Sequence, residues 1–373
     1  MKQTIIADRV FDGDELHTGL PITFEDGHIL AFDTMQGAKE SRLSSLVTPG
    51  FIDVQVNGGG GVLFNSFPNV KGIAAIGKAH AKYGTTAFLP TLITDDLNVM
   101  HQAADAVAAA LEQKVAGVVG VHFEGPHLSV PKKGVHPQPF IRRISDAELE
   151  IFSRQDLGIK VVTLAPENVS TEVIEALVKS GVKVCLGHSN ADYDTVKAAL
   201  DAGANGFTHL YNAMSALDSR KPGMVGAALE STEAWCGLIV DGHHVHPASA
   251  RVAINAKPKG KVMLVTDAMP PVGTDDMEFD FFDGRKVIRT GDRLNSTTGE
   301  LAGSVLDMAS AVRNTVNWLD VPLSESLRMA SLYPAEYLSL KTKGHLRDGA
   351  DADFVELDDQ IYTQATFIAG KQI

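Results

Sequence analysis

Several apolar runs of this chain end on residues able to hold a metal ion or move a proton. His122-Phe123-Glu124 carries a carboxylate, and Gly187-His188-Ser189 and Thr208-His209-Leu210 carry imidazoles. Asp241-Gly242-His243-His244 carries both kinds of group, and Val265-Thr266-Asp267-Ala268 carries another carboxylate. Imidazole nitrogen and carboxylate oxygen are ligands for zinc and other first-row divalent metals. Glu124, His188 and His209 supply three protein ligands and leave one position open, which is the pattern of a catalytic site rather than a structural one. Asp267 is then placed to take a proton from water activated there. Singly, each residue has a plainer reading, as a satisfied polar side chain, an edge charge or a helix cap, and His80, His101, His122 and His345 keep it. Together, two imidazoles and two carboxylates in one pocket are costly to bury unless a cation pairs them.

Basic residues raise the question of an anionic ligand. Lys132-Lys133-Gly134-Val135-His136 and Arg142-Arg143 read as solvated surface. Arg220 and His244 differ, since both fall in loops on the side where the candidate ligands gather. Asn212-Ala213 follows His209 directly, so its backbone N–H groups are within reach of a ligand. The run from Gly58 to Gly61 is too unspecific for a phosphate loop and reads as a flexible turn.

These residues need a frame that brings them together. Buried strands are expected at 51–56, 86–92, 118–123, 159–164, 182–186, 206–210, 235–240 and 261–266, runs that are mostly apolar without a strict alternation. Helices are expected at 69–83, 98–113, 146–155, 171–179, 192–202 and 247–255, with two more at 304–319 and 324–338. Strands apolar on both faces and alternating with helices make a parallel sheet. Eight such units favour a (β/α)₈ barrel over an open doubly wound sheet, and the barrel is an α/β fold whose active site lies at the C-terminal ends of the strands. The candidate residues sit at those ends. Both chain termini read instead as short strands with turns, at 4–7, 21–25, 29–32, 353–357 and 365–369. Residues 1–47 and 346–373 are therefore expected to form one small β-sandwich domain, and residues 48–345 the barrel domain.

Composition narrows the field. The 373 residues are 44% hydrophobic and 21% charged, ordinary for a globular protein. Lys plus Arg number 33 against 46 Asp plus Glu, a net charge of −13. That balance disfavours nucleic acid and anionic membranes as partners, and an anionic substrate would need a local basic cluster. Two cysteines make neither a disulfide framework nor a zinc ribbon. The first nine residues meet a charge before any signal sequence develops, and no uncharged apolar run reaches the ~18 residues of a membrane span. A cytoplasmic enzyme is the expectation.

Val47-Thr48-Pro49-Gly50-Phe51-Ile52-Asp53 resembles the first-strand signature of the amidohydrolase superfamily. His122-Phe123-Glu124-Gly125-Pro126, Gly187-His188-Ser189-Asn190-Ala191, Thr208-His209-Leu210-Tyr211-Asn212-Ala213-Met214, Asp241-Gly242-His243-His244-Val245 and Val265-Thr266-Asp267-Ala268 are similar, in order, to its N-acetylglucosamine-6-phosphate deacetylases. Leu164-Ala165-Pro166-Glu167, Leu301-Ala302-Gly303-Ser304 and Met329-Ala330-Ser331-Leu332-Tyr333-Pro334-Ala335 fit as well, so the likeness spans nearly the whole chain. The resemblance implies hydrolysis of an N-acetyl amide on a phosphorylated amino sugar. It implies that Glu124, His188 and His209 hold the metal, that Asp267 is general base and then general acid, and that His136 polarises the acetamide carbonyl. His136, Gln55, His244, Arg220 and the Asn212-Ala213 backbone would contact the sugar phosphate, with Arg220 serving the neighbouring subunit of a homodimer.

Two departures from the wider superfamily bear on the metal. Many members carry His-x-His at the end of the first strand, where this chain has Asp53-Val54-Gln55. Many also bridge two metals with a modified lysine after the fourth strand, and Leu164-Ala165-Pro166-Glu167 has none. One divalent metal per subunit is the expectation, zinc first, with iron(II), cobalt(II) or manganese(II) fitting the same donors. A deaminase or cyclic amidase on the same barrel, or a barrel kept without catalysis, are the rival readings.

Overall fold

The structure, a computed structural model, describes residues 2–33 and 37–373, with the Ser44 side chain left out. Eight strands form one parallel sheet: β1 Phe51–Val56, β2 Thr85–Ile93, β3 Gly120–Glu124, β4 Ile159–Leu164, β5 Val182–Leu186, β6 Gly206–Phe207, β7 Trp235–Leu238 and β8 Val262–Leu264. They neighbour one another in chain order. A parallel bridge between Val56 and Ala268, with Asp267 N–H donating to the Gln55 carbonyl at 3.0 Å, joins the last strand to the first. The sheet therefore closes into the expected barrel, and it closes at the end that carries the candidate site. Every residue of β1, β2 and β3 is buried, because the barrel interior fills one face and helices cover the other.

The covering helices are α1 Val70–Ala81, α2 Leu97–Glu112, α3 Asp146–Ser153, α4 Thr171–Lys179, α5 Tyr193–Asp201, α6 Gly223–Glu230 and α7 Pro247–Ala256. Side chains of Asn69, Asp96 and Asp192 accept the free N–H groups at three of their starts. Helix α6 was not expected. Its sequence, Gly-Met-Val-Gly-Ala-Ala-Leu-Glu, has two glycines and apolar residues on most sides, so it shows no amphipathic period. After β8 come α8 Met308–Leu319, α9 Leu323–Ala330 and α10 Leu332–Leu338. The single helix expected at 324–338 breaks at Ser331. A helix continuing from α9 would set the Pro334 ring against the Ala330 carbonyl and leave that carbonyl without its N–H.

The terminal strands make a second, eight-stranded sheet. Lys39–Pro49 runs parallel to Gln3–Phe11 and antiparallel to Phe354–Leu357, so both ends of the chain meet across it. Ile5, Val10, Ile22, Phe24, Val47 and Phe354 form its core. Gly50 then passes the chain into β1.

A further four-stranded antiparallel sheet lies between β8 and α8, in strands Glu278–Asp280, Lys286–Thr290, Arg293–Ser296 and Leu301–Ser304. Its Phe281, Val287, Leu294 and Ala302 pack against Ile93, Val135 and Met269 of the barrel rim. It takes up residue 304, which the helix expected at 304–319 had included. Asp307 accepts from Ser310 N–H, so the helix starts at Met308.

Candidate metal centre and active site

Glu124 ends β3, and His188 and His209 stand just beyond the ends of β5 and β6. Strand β6 stops at Phe207, short of the expected 210, because His209 leaves the extended conformation at φ +33°. His188, Tyr211, Ala213 and Asp267 also have positive φ, at +48°, +79°, +51° and +53°. Such conformations cost a side-chain-bearing residue roughly 1–3 kcal/mol each and cluster at functional sites. Here they turn each chain off its strand and aim the polar side chains inward.

The donor atoms of Glu124, His188 and His209 all lie within 4.8 Å of one another, and among the described residues this is the one such group. His188 Nδ1 is 2.9 Å from the Lys132 carbonyl. A carbonyl accepts only, so Nδ1 carries the proton and Nε2 offers a lone pair. That lone pair is 3.2 Å from Glu124 Oε1 and 3.0 Å from His209 Nε2. His209 Nε2 in turn is 3.0 Å from Glu124 Oε1. Burial would raise the Glu124 carboxyl, but the adjacent imidazoles hold it well below its ordinary value. An ionised carboxylate and imidazole nitrogens converging on one point are the donor set of a divalent cation, and the residues fit that group.

Asp267 stands beside this set. Its Oδ1 accepts from Asn57 Nδ2 at 2.5 Å and from Gln55 Nε2 at 3.0 Å, while Oδ2 carries neither. Burial and the Glu124 charge push its carboxyl up to about 6. Gln55 is 1% exposed. The structure sets its amide between the two carboxylates, 3.2 Å from Glu124 Oε1, rather than on the cavity wall. The physical reason is charge: two carboxylates this close need a donor between them.

His136 completes the group. Thr94 N–H donates to its Nδ1 at 3.3 Å, so Nδ1 accepts and the proton sits on Nε2. Burial, and then His188 with ring centroids 4.3 Å apart, hold the imidazole neutral well below its ordinary value. A neutral ring with a fixed Nε2–H is a hydrogen-bond donor that does not itself titrate near neutral pH. The loop bearing it is held by Arg285 of the inserted sheet, which donates to the Val135 carbonyl at 2.5 Å.

A cavity of about 290 Å³ opens over these residues, lined also by His244, Asn212, Ala213, Lys132 and Glu300. Asp241 Oδ2 lies 2.6 Å from His244 Nδ1, which leaves Nε2 for a ligand. Asn212 N–H is spent on the His209 carbonyl at 3.0 Å. Arg220 is exposed and is not part of this wall. Glu167 after β4 lies outside the cavity and accepts from Ser189 Oγ and Asn190 N–H, bracing the loop that carries His188.

The amidohydrolase family model matches residues 46–372. The chain belongs to that family. It is 54% identical to the N-acetylgalactosamine-6-phosphate deacetylase of Shewanella sp. (strain ANA-3), over 88% of this chain and 83% of that protein. It is 38% identical to the N-acetylglucosamine-6-phosphate deacetylase of Bos taurus, over 93% and 88%. The crystal structure of N-acetylglucosamine-6-phosphate deacetylase from Pasteurella multocida superposes with a TM-score of 0.96 at 33% identity, covering 100% of both chains. The barrel and terminal sheet, expected from the strand pattern, are thus those of an amidohydrolase.

Four residues of this amidohydrolase's site escaped the sequence reading. Asn57 follows Gln55 by two, on the same face at the end of β1, and that spacing could have found it. Asp241 had been quoted for its motif but given no partner. Thr94, past the end of β2, carries no titratable group and left no signal. Glu300 belongs to the inserted sheet, which was not foreseen.

Proposed function

We propose that this amidohydrolase removes the N-acetyl group of N-acetyl-D-glucosamine 6-phosphate, giving D-glucosamine 6-phosphate and acetate. The observation that carries the reading is the convergence of Glu124, His188, His209, Asp267 and His136 on one cavity. The 54% relative favours a second substrate, the C4 epimer N-acetyl-D-galactosamine 6-phosphate. A deaminase or cyclic amidase has neither likeness in its favour.

One divalent cation, zinc first, would be held by Glu124, His188 and His209; when bound it activates water and polarises the amide carbonyl. The residues of the chain do the rest. Asp267 takes the proton of the attacking water on Oδ2, the oxygen free of Asn57 and Gln55. His136 donates Nε2–H to the developing oxyanion, typically the largest single term in such reactions. Asp267 then returns the proton to the leaving nitrogen, because an amide anion does not leave unprotonated.

The phosphate falls to His244 Nε2, the Ala213 backbone N–H and Arg220, the Asn212 N–H being held by the His209 carbonyl. We assign Arg220 to the neighbouring site of a homodimer, which accounts for its exposure here. Leu217 and Val252, 53% and 57% exposed, share an apolar groove with Tyr211, Met214, Val225 and Leu229 beside that loop, and they suit a subunit interface. Both cysteines are buried and free, and no helix among the described residues is long and apolar enough to cross a membrane. We place the enzyme in the cytoplasm.

The test is acetate release by purified protein from the 6-phosphates of N-acetylglucosamine and N-acetylgalactosamine beside N-acetylglucosamine without phosphate. Release that depends on the phosphate supports the reading. No release from either N-acetylhexosamine 6-phosphate refutes it.

A further inference from the structure

One wall of the cavity carries a charge that the reaction above does not use. Glu300 lines the cavity just before the strand Leu301–Ser304. The far end of that strand is tied to the hydrolytic centre, since Ser304 N–H donates to the Asp267 carbonyl at 2.9 Å. Gly303 breaks the extended chain between the two ends at φ +62°, and Glu300 is itself fixed in the turn before the strand. Ser296 Oγ, at 2.7 Å, and Thr298 Oγ1 both donate to Oε2, and Oε1 takes neither bond. Those two hydroxyls hold the carboxyl ionised, down to about 2.

We propose that Glu300 determines substrate specificity by accepting hydrogen bonds from the C3–C4 hydroxyl edge of the hexosamine ring, so that it reads the configuration at C4. The inference rests on the hexosamine phosphate reading above. An ionised carboxylate only accepts, so it suits hydroxyl donors and repels a phosphate. Its presence in the pocket therefore orients the ring. On that reading the C2 acetamide lies at Asp267 and His136, and the C6 phosphate lies at His244. C2 and C5 are opposite one another in a pyranose, so a flank of the ring must face the remaining wall. The C3–C4 flank offers two adjacent hydroxyl donors, and the C1–O5 flank offers one. In a chain of net charge −13, a carboxylate in an anion's pocket costs affinity unless it meets such donors.

The experiment measures KM and kcat for both C4 epimers, as 6-phosphates of the N-acetylhexosamines, in wild type, Glu300→Ala and Glu300→Gln. Glu300→Gln keeps the size and one acceptor oxygen, so it guards against a collapsed loop. Glu300→Ala is expected to raise KM for the preferred epimer 10- to 100-fold, the range of a hydrogen bond to a charged group. Values of kcat should stay within about threefold and the preference between epimers should shrink, with Glu300→Gln in between. Unchanged KM and preference would overturn the proposal, as would an equal rise for both epimers. A fall in KM would also overturn it, because Glu300 would then only repel the phosphate. A wild type silent on both sugars would instead strike the function reading itself.

Discussion

Replacing Asp267 by Asn separates proton transfer from everything else the site does. The variant keeps the shape of the side chain, and its amide oxygen can still accept from Asn57 and Gln55, now 2.5 and 3.0 Å from Oδ1. What it loses is Oδ2 as a proton carrier. A positioned acid–base group contributes roughly 10²–10⁴ in rate. Asp267 serves both the attack and the departure of the amine, so the upper half of that range applies. We expect kcat to fall about 10³- to 10⁴-fold, roughly 4–5.5 kcal/mol at ~1.36 kcal/mol per decade. The metal ligands are untouched, so metal content should stay at the wild-type level. Stability should move the other way. Burial and Glu124 push the Asp267 carboxyl from 3.8 up to about 6, so in metal-free protein its ionised form costs on the order of 3 kcal/mol. The folded state holds the proton longer than the unfolded chain. The cost is therefore absent below about pH 4 and complete above pH 6. Metal-free Asp267→Asn should then melt above metal-free wild type at pH 8 and close to it at pH 4. The assays are acetate release, metal analysis and thermal melts of chelated protein across pH. Turnover above a tenth of wild type in a metal-loaded Asp267→Asn would refute the role given to Asp267.

Three other outcomes are expected. His136→Ala should lower kcat about 10²- to 10³-fold, the loss of one oxyanion donor, with metal content unchanged; a loss of metal would show that His136 acts on the ligands instead. Asp53 is fully buried, accepts from Thr266 Oγ1 at 2.5 Å, and is pushed by burial up to about 7. Its folded carboxyl stays protonated where the unfolded one ionises, so wild type should lose about 4 kcal/mol of stability relative to Asp53→Asn between pH 4 and pH 7. Parallel denaturation curves over that range would contradict it. Arg220→Ala should raise KM more than it lowers kcat, and mixed dimers with a metal-site variant should show whether the arginine serves its own site or its neighbour's.

The barrel was legible because parallel strands buried on both faces leave mostly apolar runs, and five such runs end on the residues that gather at the site. The strand ends themselves were less legible. Gly206–Phe207 is shorter than its apolar run because His209, Tyr211 and Ala213 adopt left-handed conformations, which a period in the sequence does not encode. The roles of Gln55 and Asn57 came from contacts between β1 and the end of β8, residues more than 200 positions apart. The inserted sheet at 278–304 was missed for a plainer reason. Its strands are three to five residues long, and the first three carry exposed Glu278, Asp280, Lys286 and Arg293 among buried and half-buried positions, so they lack the apolar signal of a strand buried on both faces. That omission hid Glu300 and the Arg285 tie on the His136 loop.

The central claim is that Glu124, His188 and His209 hold the ion that makes Asp267 and His136 a hydrolase. The most direct test removes that ion and returns it in steps, following acetate release from N-acetylglucosamine 6-phosphate. Chelated protein is expected to stay folded and inactive, activity to return in proportion to added zinc and level off near one equivalent per subunit, and His209→Asn neither to retain the ion nor to recover. Full acetate release from demonstrably metal-free protein would contradict that claim.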